Sequence, residues 1–69
     1  MDISIDNEYI TLVQLLKHIN VISSGGEAKF FLLENDILVN EEIERRRNKK
    51  LYPGDVVSID DKEYLLKWS

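Results

Sequence analysis

Ser23–Asn40 reads SSGGEAKFFLLENDILVN, and its hydrophobic period changes halfway along. Up to Asn35 the residues Ala28, Phe31 and Leu32 recur at helical spacing and form one inward stripe, while Lys29 and Phe30 point elsewhere. Ser24 followed three residues later by Glu27 is a capping-box pattern, which places the helix start near Gly25. After Asn35 the period falls to two: Ile37–Val39, a turn at Asn40 and Glu41, then Ile43 and Arg45 alternating with acids. A helix feeding directly into a hairpin predicts an α+β fold.

Reading outward toward the N-terminus, Val21 and Ile22 form an apolar connector, preceded by a second helical pattern. Thr11 and Gln14 form another capping box, and Leu12, Leu15, Leu16 and Ile19 share one face opposite Gln14, Lys17 and His18. That helix is predicted to stop near Asn20, which tolerates the left-handed conformation of a helix end. Two helices separated by so short a connector are expected to pack as a hairpin or at a steep angle. Before them, DISID alternates apolar and polar residues as a half-buried strand does. Toward the C-terminus, Pro53 and Gly54 mark a turn, and VVSI, a turn at Asp60 and Asp61, and EYLLKW predict a second hairpin.

A chain of 69 residues has room for one core, so residues 1–69 are expected to form a single domain. There is no cysteine, and the single histidine, His18, cannot assemble a zinc site, so no metal or cofactor is expected. The N-terminus carries acids where a secretion signal has basic residues, and no apolar run is long enough to span a membrane. A cytoplasmic protein, monomeric and with no membrane partner, is the expectation. Glycine-rich phosphate loops of the Walker type, G-x-S-x-G and cysteine nucleophiles are all missing, and catalysis is not expected.

Charge is unevenly placed. The net charge is -4, yet residues 1–44 hold two lysines against nine acids, residues 45–50 (RRRNKK) carry +5, and residues 51–69 hold two lysines against four acids. A concentrated positive patch on an acidic body steers a polyanion by its local field. The plainer reading of the block is a loop kept soluble by charge. Five like charges in six residues repel one another, however, and three are arginines, whose planar guanidinium groups match phosphate. Arg45, Arg46, Arg47, Lys49 and Lys50 are therefore candidate phosphate contacts.

A second candidate set is Ser24, Gly25, Gly26 and Lys29. The glycines either serve a tight approach at the helix start or expose backbone amides to a phosphate oxygen at the positive end of the helix dipole, with Lys29 one turn on. Phe30 reads first as a core aromatic packed on a neighbour such as Trp68; if exposed, it sits near Lys29 and could stack a base. Lys17 and His18 read as a solvated helix face, and Tyr52 and Tyr64 as core-edge residues.

The order of helix, connector, SGGEAK, LLENDILVN, basic stretch and LYPGDVV resembles the S4-type RNA-binding domain, and most nearly its short stand-alone bacterial branch called YaaA-like. The resemblance covers residues 11–57 and rests on Ser24, Glu27, Ala28, Lys29, Val39, Asn40, Pro53, Gly54 and Asp55. It implies two packed helices against a small, mostly antiparallel sheet, with RNA lying over the start of the second helix and the basic strand loop. Three departures stand out. Thr11, Leu12 and Val13 replace an Arg-Leu-Asp motif, Gly25 and Gly26 occupy positions often basic in the family, and Asn35 replaces the glycine that commonly precedes the Val-Asn strand. Contacts would shift to backbone amides and to the basic block.

The function expected from the sequence is non-catalytic binding of structured RNA, namely ribosomal RNA or a ribosomal assembly intermediate, with the ribosomal subunit as a further partner. The alternative is a protein-interaction adaptor whose basic loop docks an acidic partner, in keeping with a pI near 4.8. Phosphate contacts by themselves do not separate RNA from DNA.

Overall fold

The computed structural model describes Met1–Ser69. Its elements run β1 (Asp2–Ile5), β2 (Ile10–Thr11), α1 (Leu12–His18), α2 (Gly25–Glu34), β3 (Ile37–Val39), β4 (Glu42–Ile43), β5 (Lys50–Leu51), β6 (Val56–Ile59) and β7 (Lys62–Trp68). Five strands form one mixed sheet in the order β1-β7-β6-β3-β4, and β2 pairs with β5 in a separate two-stranded ladder. Only β1 and β7 run parallel; the other pairings are antiparallel. The α+β reading and the mostly antiparallel sheet hold, and a strand precedes both helices.

Each strand's alternation selects its buried face. Ile3 and Ile5 of β1, Ile37 and Val39 of β3, Val57 and Ile59 of β6, and Tyr64 and Leu66 of β7 are buried. The helices supply the complement: Leu12, Leu15 and Leu16 from α1, Ala28 and Leu32 from α2, all in one cluster of 15 residues with the sheet. Ile19 and Phe31 pack against its margin. Burying a leucine fully is worth roughly 1.5–3 kcal/mol, so a chain with no disulfide depends on these few side chains.

Local signals mostly carried through to the turns. The Thr11 hydroxyl accepts from the Gln14 amide while the Gln14 side chain accepts from the Thr11 amide, closing the capping box. Asn20 takes the left-handed conformation at φ 62°, as the end of α1 requires. Asn40 and Glu41 both have positive φ, 51° and 72°, the two-residue turn whose twist matches a hairpin. Gly54, at φ 99°, follows Pro53 in the turn closed by Asp55 N–H donating to the Tyr52 carbonyl.

Three expectations are corrected. Ser24 occupies the N-cap of α2, but its side chain makes no capping hydrogen bond; the Ser23 hydroxyl instead donates to the Glu27 carboxylate. Phe30 is 63% exposed and Trp68 is 64% exposed, so Phe30 is not a core residue. The outward side of α2 has no element laid over it. Tyr52 likewise lies at the surface, its ring tilted against Tyr9 with centroids 5.9 Å apart, whereas Tyr64 is buried.

Candidate nucleic-acid interface

The basic block is held in place by both helices. Leu12 and Val13 open α1, where backbone N–H groups have no intrahelical acceptor. They donate instead to the carbonyls of Lys49 and Arg47, each at 2.9 Å. The Lys49 amide donates back to the Arg46 carbonyl within the loop. Pairing of Lys50 and Leu51 with Thr11 and Ile10 continues the attachment, and Leu51 is fully buried. The segment is thus tied down by its backbone while side chains project outward, and ordering it on a ligand costs less entropy than ordering a free loop.

The five cations do not share one environment. Arg45 turns back to the end of α2: it donates to the Leu32 carbonyl in the last turn of that helix and to Asp36 at 3.1 Å. Arg46 makes a two-pronged pair with Glu44, at 2.9 and 3.0 Å. That guanidinium, with the Arg46 amide and Lys49 nearby, holds the Glu44 carboxyl far below its ordinary range, at about 2. The Lys50 ammonium lies 4.9 Å from the centre of the Tyr9 ring. Arg47 and Lys49 have no carboxylate partner. Lys50 also belongs to a strand, so the loop proper ends before it.

Lys29, predicted as the second half of the site, meets the first half through two of the arginines. Lys29, Leu33, Arg45 and Arg47 line one open cavity of about 340 Å³. Its floor is α2, and the Arg45 contact to the end of that helix fixes the wall. A neighbouring cavity of about 350 Å³ gathers Arg46, Lys49, Lys50 and Tyr52 with Glu42, Glu44 and Asp55. Cations and acids alternate there. Asn40 braces its rear, donating to Asp55 at 3.0 Å and accepting from the Val56 amide at 2.9 Å.

Ser24, Gly25 and Gly26 stand apart from these cavities at the start of α2. Tight packing is not what selects the glycines. A methyl group placed on Gly25 would meet nothing within 4 Å, and one on Gly26 would meet only the Ser24 hydroxyl, at 3.9 Å. They leave the first two positions of α2 without side chains, ahead of Glu27, and neither takes positive φ.

Two contributors had no clear signal in the sequence. Leu33 is exposed beside Lys29, a placement that a helical projection allows but apolar character argues against. Tyr9 lies forty-odd positions from Lys50 and meets it only because β2 pairs with β5. Elsewhere the surface is acidic: Asp36, Asp60, Asp61 and Glu63 gather with Lys62 on the sheet face turned away from the helices. The cavity of Lys29, Arg45 and Arg47 is thus lined by cations without acids, while acids predominate on this far face. No group of acids and His18 is arranged to hold a metal ion, and no helix is long and apolar enough to cross a membrane.

A pair of helices set on a mixed sheet, with a clamped basic loop beside the second helix, is the arrangement expected of an S4-like module. The chain belongs to the S4 domain family, whose model matches residues 3–67. Among curated proteins it is similar to one of Bacillus subtilis (strain 168) named "Probable ribosome maturation protein RlbA". The two are 60% identical over 58 residues, covering 84% of this chain and 82% of the relative.

Proposed function

We propose that this protein is a non-catalytic RNA-binding module of the cytoplasm, acting as a monomeric single domain over residues 1–69 in ribosome maturation. Its target in this reading is structured ribosomal RNA or a ribosomal assembly intermediate. The observation that carries it is the convergence of Lys29 with Arg45 and Arg47, two segments separated in sequence, around one cavity on an otherwise acidic protein. Support comes also from the S4 family membership and from the name of the Bacillus subtilis relative.

In mechanism, Arg47, Lys49 and Lys29 neutralise phosphates, and the start of α2 at Ser24, Gly25 and Gly26 offers backbone amides to another. Arg45 shapes the site and adds charge from behind, Arg46 is partly neutralised by Glu44, and Lys50 keeps its charge while resting on Tyr9. A-form RNA presents phosphates and 2′-hydroxyls, so shape and charge dominate over base sequence.

The test is a titration of ribosomal RNA against the protein over a range of salt. With three cations engaged, log affinity should fall with log salt at a slope of roughly -2 to -3. A flat response refutes the electrostatic reading. Association with ribosomal particles that survives nuclease treatment would favour the adaptor alternative, in which the basic loop docks an acidic protein.

A further inference from the structure

The outward side of α2 carries an apolar ridge that the fold does not use. At about 100° per residue, Lys29, Leu33 and Phe30 follow one another around the helix, opposite the buried Ala28 and Leu32. Phe30 and Leu33 are each 63% exposed. On the Lys29 flank stand Arg45 and Arg47; on the far flank, past Phe30, come the exposed Glu34 and Glu27. The surface grades from cation through apolar to acid.

We infer that this ridge receives an unpaired base of an RNA whose phosphates rest on Lys29 and Arg47, an inference that builds on the RNA-binding reading above. Past the first turn of α2 a polyanion can follow only the cationic flank, because Glu34 repels it from the other. Whatever covers Phe30 and Leu33 must therefore reach across from the phosphates and offer an apolar face. A nucleobase turned out of its stack does both, and an aromatic ring accepts any base because every base has a π-face. A continuous duplex does neither: its bases stay stacked inside, and its sugars and phosphates would be desolvated against the ring without a partner. Phe30 supplies the platform, Leu33 the edge between platform and cations, and the acidic flank sets the direction in which the base points.

The experiment compares two short RNA duplexes of the same sequence, one perfect and one with a single unpaired 2-aminopurine, whose fluorescence is quenched by stacking. Both are titrated by anisotropy with the intact protein and with Phe30→Ala, Phe30→Trp and Arg47→Ala, each checked for an unchanged melting temperature. The bulged RNA should bind more tightly and be quenched. Phe30→Ala should remove that preference, a loss of roughly 5- to 150-fold on the bulged RNA alone, and Phe30→Trp should keep it. Arg47→Ala should weaken both RNAs alike.

Equal affinity for the two RNAs, untouched by Phe30→Ala but lowered by Arg47→Ala, overturns the base platform and leaves RNA binding standing. Failure of both RNAs to bind removes the RNA-binding reading itself. If Phe30→Ala instead abolishes saturable binding of an acidic, aromatic-containing peptide, with no preference between the RNAs, the ridge belongs to a protein partner and the inference falls.

Discussion

Replacing Arg45 with alanine should unfold this protein at a markedly lower temperature, while the same change at Arg47 should not. Arg45 donates to the Leu32 carbonyl, one of the last four of α2, which have no intrahelical donor. A hydrogen bond from a charged donor contributes about 1.5–3 kcal/mol, and the half-exposed Arg45 side chain places this one near the lower limit. A cation at a helix C-terminus adds about 0.5 kcal/mol. The bond to Asp36, whose side chain is 71% exposed, adds a few tenths at most, about 0.3 kcal/mol. The total is about 2 kcal/mol, which in a domain of this size lowers the melting temperature by roughly 8–16 °C. Arg47 contributes its carbonyl to Val13, which alanine keeps, so Arg47→Ala should stay within about 0.5 kcal/mol of the parent. Melting curves by far-ultraviolet circular dichroism, read beside RNA titrations, separate the two effects. Arg45→Ala should lose both stability and affinity, Arg47→Ala affinity alone. Arg45→Lys, which keeps the charge but not the fork, should fall between. Melting of Arg45→Ala within a few degrees of Arg47→Ala would refute the assignment of Arg45 to the end of α2.

Glu44 gives the fold an acid-sensitive bond. Its carboxyl titrates at about 2 in the folded protein against 4.5 ordinarily, so the stabilisation is fully present above pH 4.5 and lost as pH falls toward 2. Arg46 is 75% exposed, and solvent screening keeps the contribution small. Glu44→Gln should flatten that part of the acid limb in melts at descending pH and, by releasing Arg46, tighten RNA binding at neutral pH; a limb as steep as the parent's contradicts this. Asp2, lowered by its bond and charge pairing with Lys67, leaves a residual acid dependence in either protein. Glu41 sits at φ 72° in the hairpin turn, where a side chain costs about 1 kcal/mol. Glu41→Gly should therefore raise the melting temperature by several degrees, and a lower one would show that the Glu41 side chain stabilises the turn.

Much of the fold could be read from local pattern because local pattern is what produces it. The closed box at Thr11 and Gln14, the left-handed Asn20, the Asn40–Glu41 turn and the Pro53–Gly54 turn all satisfy backbone requirements with residues close in sequence. The inward stripes of both helices follow from a period that any amphipathic segment displays. Where local logic failed, another local solution competed. Ser23 rather than Ser24 bonds Glu27, and two adjacent serines cannot be told apart by spacing.

The candidate site divides along the same line. The sequence by itself determined its ingredients: a block of five cations from Arg45 to Lys50, a glycine-opened helix carrying Lys29, and an acidic remainder. It could not rank the cations, because Arg45, Arg46 and Arg47 are chemically identical and consecutive. Tertiary structure alone decided that Arg45 closes α2, that Arg46 is held by Glu44, and that Arg47 comes to Lys29 without a carboxylate partner. It also decided that Phe30 faces outward, since nothing is laid over α2 on that side. The physical reason is that a charge's availability depends on what lies within a few ångströms of it. Those neighbours are brought there by the pairing of β2 with β5 and by the amides at the start of α1, contacts that span more than thirty residues of chain.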